Sequence, residues 1–164
     1  MLESILLDPS STTKALVAYV HYLSFMLCFG ALVFERVRLK VNPARQDAIS
    51  LVLADLVYGF AGITLLLSGI LRVKYFGQGG YFYTHNPVFW IKIGLFILVG
   101  LLSLYPTITY ILWAIPLSKG DLPIVKENLV SRLKFIISIE LFGFAIIPIF
   151  ATFMARGIGM KLLI

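Results

Sequence analysis

AYVHYLSFMLCFGALVFE, residues 18–35, decides the fold. Hydrocarbon would dissolve nearly all of it. At ~1.5 Å of rise per residue, a run of about 20 apolar residues crosses a bilayer core of ~30 Å as a helix. Two residues resist that reading. His21 places an imidazole inside the apolar run, and Glu35 closes it with a carboxyl group. The question is what they do there.

The rest of the chain has the same character. Of its 164 residues 60% are hydrophobic, and the mean hydropathy is +0.96. A water-soluble domain of this size has no core large enough to hide so much apolar surface. The class is therefore integral membrane, in one domain covering 1–164. The net charge is +6, and in such a protein the excess sits in loops and sets orientation, so no nucleic-acid partner is expected. Cys28 is the single cysteine and has no partner for an intrachain disulfide. The N-terminal MLESILLDPSSTTK lacks a basic leader and a small-residue cleavage pattern, which predicts a retained first helix.

Four spans are predicted, over residues 15–34, 48–73, 87–115 and 133–155. Lipid obliges each to satisfy its own backbone hydrogen bonds, so each is a helix, and the fold class is an all-α membrane four-helix bundle. Punctuation agrees. SSTT offers N-cap hydroxyls, KVNPAR and SKGDLP separate helices, and Pro87 suits a first helical turn. IVKENLVSRLK alternates apolar and charged residues at helical spacing. It is either an amphipathic lead-in on the membrane surface or an extension of the fourth helix into water.

An even number of spans puts both termini on one side. Eight Lys and Arg residues (36, 38, 40, 45, 119, 126, 132, 134) fall on one side, and six (14, 72, 74, 92, 156, 161) on the other. The first side is the cytoplasmic candidate, which places both termini outside a bacterial inner or internal photosynthetic-type membrane. A short echo, DLVYGFA from Asp55 and ELFGFA from Glu140, is either chance or the trace of a two-plus-two repeat.

Polar residues gather at two depths. On the outer half, His21 lies on the order of 10 Å into the bilayer, near Lys92 and Arg72, with His85 and the aromatic loop above. On the inner half stand Glu35, Asp55 and Glu140. Arg36 and Arg132 are near enough to pair with them, and Tyr58, Thr107 and Thr109 near enough to join. Intramembrane acids are costly and rarely face lipid. They form either a buried network that sets helix register or a proton or ion path. Heptad stripes point to a shared interior: His21, Cys28 and Glu35; Asp55, Gly62 and Gly69; Lys92, Val99 and Pro106. Glycines on such a stripe let a helix or a flat ligand approach.

A helix-borne histidine facing cations meets the minimal requirement of a b-type haem: an axial ligand and partners for propionates. His21 is the candidate iron ligand, Lys92 and Arg72 the candidate propionate partners, and Lys92 a second ligand if neutral. The alternative is a histidine that hydrogen-bonds a neighbouring helix. Two histidines and one cysteine are too few for zinc, and GQGG lacks the Lys-Ser/Thr of a phosphate loop. The outer-loop aromatics read as an interfacial belt.

FGALVFERV, DLVYG, GILRVKYFGQGGYFY, NPVFWIKIGLFILVGLLSLYPT and IPIFATFMARGIG together resemble the bacterial membrane proteins grouped as domain of unknown function 2214. The resemblance spans nearly the whole chain and implies a small four-helix membrane protein, with no activity attached. It also implies a basic residue at the position of Gln78, which this chain lacks. A weaker similarity links His21 and FWIK, up to Lys92, to HemJ-type protoporphyrinogen oxidases and the related copper-resistance bundles. The oxidase pattern has a further histidine beside the tryptophan. Here Val88 and Ile91 flank Trp90, so the resemblance implies haem binding rather than the oxidase activity.

The expectation is thus a membrane protein holding haem b for a redox or porphyrin-related task. Two alternatives stay open. One is a small transporter or ion-conducting subunit, working as a homodimer through Asp55 and Glu140. The other is a scaffold in a membrane complex, whose polar residues only register helices.

Overall fold

The structure is a computed structural model and describes residues 9–159, with side chains from residue 11. Lys161 and most of the acidic N-terminal segment lie outside the described residues. Among the described residues five α-helices follow in order: α1 (Pro9–Arg38), α2 (Arg45–Leu71), α3 (Gly80–Thr84), α4 (Pro87–Ser118) and α5 (Glu127–Ala155). A π turn, Arg72–Phe76, prolongs α2. Among the described residues there is no strand. Four helices, α1, α2 with its π turn, α4 and α5, are long and apolar enough to cross a membrane.

Each span is longer than its apolar run, because the helices continue into polar flanks. α1 begins at Pro9, so SSTT lies inside its first turns and does not cap it. Proline suits that place, since the first helical N–H has no intrahelical partner to lose. α5 begins at Glu127 and runs unbroken, so the charged stretch before residue 133 is an extension of the helix and not a separate surface helix.

Specific residues close the loops. Asn42 takes a left-handed conformation (φ 46°) before Pro43, and Gly120 does so (φ 93°) between α4 and α5. Lys40 and Arg38 pair with Asp47 at 2.6 and 3.4 Å, across the first loop. Asn86 caps α4, accepting from the Val88 N–H at 2.9 Å. Its Nδ2 donates to the Ile158 carbonyl at 3.2 Å, which folds the turn after α5 back onto the start of α4.

The helices pack as two hairpins. α1 lies mainly against α2 and α4 mainly against α5, with thinner contact between the pairs. The core runs along the predicted stripes. Cys28, Leu32, Val99, Leu133, Ile137 and Phe144 are buried, while Phe60, Leu101, Phe135 and Phe142 point outward as lipid-facing side chains do. A Cβ on Gly143 would stand 2.5 Å from Val99 Cγ2, so α4 and α5 meet there at a distance that only glycine permits.

Candidate functional site

The outer half of the bundle contains a cavity of about 660 Å³ lined by all four spans. Its body is apolar, with Phe25, Phe89, Phe96, Ile147 and Pro148 among its walls. Its polar groups are His21, Lys74, Lys92, Thr152 and Arg156. The size falls within the ~300–1,000 Å³ of small-molecule sites. Phe144 forms part of the wall and packs on Phe25 (ring centroids 5.4 Å) and on Tyr58 (6.3 Å), which belongs to the inner cluster. The two polar depths are therefore separate compartments with aromatic rings between them.

His21 is held at one nitrogen. Its Nδ1 lies 3.0 Å from Ser68 Oγ and 3.2 Å from the Leu65 carbonyl. The Ser68 hydroxyl donates to the Thr64 carbonyl at 2.6 Å, so toward His21 its oxygen accepts. The carbonyl can only accept. Nδ1 therefore carries the proton, and in the neutral ring Nε2 keeps its lone pair. Among the described residues the hydrogen bonds of the ring are those of Nδ1, and the side chain lines the cavity. Gly69 makes the ring position possible, since a Cβ there would lie 3.3 Å from His21 Cε1.

The cations divide. Lys92 lines the cavity, with Nζ 5.6 Å from the Phe89 ring centroid. Arg72 instead caps Tyr22, its guanidinium 5.0 Å from the ring centroid and donating to the phenol at 3.3 Å. Lys74 and Arg156 line the cavity in its place. Both belong to the outer set of charges, and the convergence of the helix ends brings them to one cavity. His85 stays apart, stacked on Tyr81 at 3.9 Å in and after α3. Tyr75, Tyr81 and Trp90 are exposed, as an interfacial belt requires.

The inner cluster brings together Glu35 of α1, Asp55 and Tyr58 of α2, Ser103, Thr107 and Tyr110 of α4, and Glu140 of α5. Asp55 Oδ1 accepts from Thr107 at 2.7 Å. Glu35 and Glu140 are 1% and 0% exposed. Neither Glu140 oxygen has a hydrogen-bond partner, nor has Glu35 Oε1 or the Tyr110 hydroxyl.

The expected arginine pairing is not found. The ion pairs among the described residues are those of Asp47. Arg36 Nε donates to Ser138 Oγ at 2.9 Å, and Arg132 lines a small surface hollow with Tyr105, Lys126, Asn128 and Leu129. Both sit at helix ends where water can solvate a guanidinium, which a dry interior cannot do. Thr109 bonds back to the Tyr105 carbonyl of its own helix. Gly62 faces open space, so only Gly69 on that stripe admits a neighbour.

Ser68 and Tyr110 are among the residues that sequence reasoning missed. Each breaks an apolar run on a buried stripe, Ser68 beside Gly69 and Tyr110 three places after Thr107, and that was the available signal. Among the described residues no group of three or more His, Cys, Asp or Glu is placed to hold a metal ion.

Comparison with known proteins gives one family match. The family described as "Predicted membrane protein (DUF2214)" matches residues 13–159. No curated protein and no solved structure matches.

Proposed function

The chain belongs to the predicted membrane protein family DUF2214, and from that premise we propose that it binds a b-type haem in the outer cavity, with His21 Nε2 as the iron ligand. The single observation that carries this reading is the state of His21. Ligating histidines commonly donate their other ring N–H to a carbonyl or similar acceptor, which fixes the tautomer and aims the free nitrogen. His21 Nδ1 does so toward Leu65 and Ser68, and Nε2 is left bare on a cavity-lining side chain.

The remaining groups fit the same ligand. The apolar, aromatic body suits a porphyrin, and Lys74, Lys92 and Arg156 suit carboxylates at its rim. Arg72, engaged with Tyr22, is not among them. The lining contains one histidine, so a second axial ligand would come from Lys92 or from outside the chain. Met26 also lines the cavity, on the same helix as His21 and five residues on. A haem so held would exchange electrons or bind small molecules. The charge bias supports an orientation with both termini outside.

The test is an absorption spectrum of the full chain, purified in detergent after expression with haem precursor, oxidised and then reduced. A Soret band with sharp reduced bands, lost in His21→Ala while helix content stays unchanged, is expected. A folded wild-type protein that remains colourless would overturn the reading.

A further inference from the structure

A separate compartment lies on the inner side of Phe144, and haem binding makes no use of it. Three carboxyl groups from three helices enter it: Glu35, Asp55 and Glu140. Like charges gathered in a dry interior repel, and each resists leaving water. A cation within ion-pair distance would relieve both costs, but among the described residues no Lys, Arg or His nitrogen lies within 4.0 Å of the three acids. Arg36, the nearest arginine in sequence to Glu35, spends its Nε on Ser138.

The groups that face this compartment come from every span. α1 supplies Cys28 and Glu35, α2 supplies Asp55 and Tyr58, α4 supplies Ser103, Thr107 and Tyr110, and α5 supplies Glu140. Cys28 Sγ is turned to the Tyr58 carbonyl at 3.8 Å. None of these brings positive charge.

A second observation is independent of the acids. Tyr110 is 0% exposed and its hydroxyl has no hydrogen-bond partner. It lies beside Glu35, whose Oε1 is also buried without a partner. Both oxygens of Glu140 are likewise buried and unpartnered. Buried polar groups are rarely left so. The hydroxyl of Tyr110 can donate, and the oxygens of Glu35 and Glu140 can accept or, when protonated, donate. The oxygens do not form a metal-binding group of three.

We propose that Glu35, Asp55 and Glu140, with Tyr110, form a proton-binding site in the inner half of the bundle that exchanges with water by way of Asp55. Asp55 has the role of port because it retains 6% exposure, against 1% for Glu35 and 0% for Glu140. Its Oδ1 is also held by Thr107, which fixes one oxygen and leaves the other free to take up a proton. The site does not depend on haem, so a colourless protein would leave it standing.

The experiment uses the full chain in detergent and dicyclohexylcarbodiimide, an apolar reagent that adds to protonated carboxyl groups and leaves a stable acylurea. Sites are mapped by mass spectrometry, and the carboxylic C=O band is followed by infrared spectroscopy in parallel. The expected result is an adduct confined to Glu35, Asp55 or Glu140. Labelling should fall as pH rises and be absent from the triple variant Glu35→Gln, Asp55→Asn, Glu140→Gln. The infrared band should shift in D2O and be lost in the same variant. Asp55→Asn alone should slow labelling about tenfold and leave the fold intact by circular dichroism. Absence of both adduct and band in folded wild-type protein would overturn the proposal. So would protection from labelling by Na+ or K+ at constant pH and ionic strength, because the site would then hold a metal cation.

Discussion

His21 Nδ1 and Ser68 Oγ stand 3.0 Å apart, on two neighbouring helices and 47 residues apart in the chain. The contact turns a polar side chain in an apolar run into an oriented one. Ser68→Ala should leave the Leu65 carbonyl as the only partner of Nδ1. Loss of an outer-shell partner commonly lowers metal affinity 10–100-fold. We expect haem retention during purification to fall by about tenfold, with shifted reduced bands, read from the ratio of Soret to protein absorbance.

Gly69, the next residue, bears on the same ring. Gly69→Ala would place a methyl group 3.3 Å from His21 Cε1. The ring must tilt, and Nε2 with it. Haem content should drop while the thermal midpoint changes little, because the ring has the open cavity to move into.

Gly143 has no such freedom. A methyl group there meets Val99 in a packed core, and overpacking of that kind costs about 1–3 kcal/mol. Gly143→Ala should lower the midpoint of thermal unfolding in detergent. Adding Val99→Ala should recover most of the loss, since it removes the colliding atoms. Absence of recovery would mean that the helices do not meet at this pair.

Asn86 does two jobs that can be separated. Asn86→Asp keeps the oxygen that caps α4 but loses the donor to Ile158, whereas Asn86→Ala loses both. Cap loss costs about 1 kcal/mol. Both variants should expose the C-terminal segment to a protease added from outside, and only Asn86→Ala should also lower the thermal midpoint.

Orientation is open to a labelling experiment. Cys28 is 0% exposed and supplies a silent background. A cysteine at Lys119 should react with a membrane-impermeant thiol reagent only after inner-membrane vesicles are turned cytoplasmic face out, and one at Tyr81 only in intact spheroplasts. The reverse pattern would invert the bundle.

Much of the architecture was legible because lipid imposes it. Backbone groups in hydrocarbon must close on themselves, so long apolar runs had one solution. The heptad stripes placed Cys28, Glu35, Asp55, Val99 and Pro106 in the interior, where all five are found. Side-chain pairing was less legible. Arg36 and Arg132 are near the acids along the helix axis, but rotation about that axis decides contact, and charge attraction alone does not set rotation. Ser68 was hidden because serine is common in membrane helices and becomes a partner only when a second helix presents His21.

The two-hairpin packing has a consequence for how the protein is made. α1 with α2, and α4 with α5, each join spans close in sequence and form most of the contacts. Each pair can enter the bilayer as a unit and associate there before the other arrives. The cavity draws walls from both pairs, so it exists only after they meet. Loading of any ligand is therefore the last event of biogenesis. A variant that inserts normally but docks its halves poorly would reach the membrane in full amount and still arrive empty.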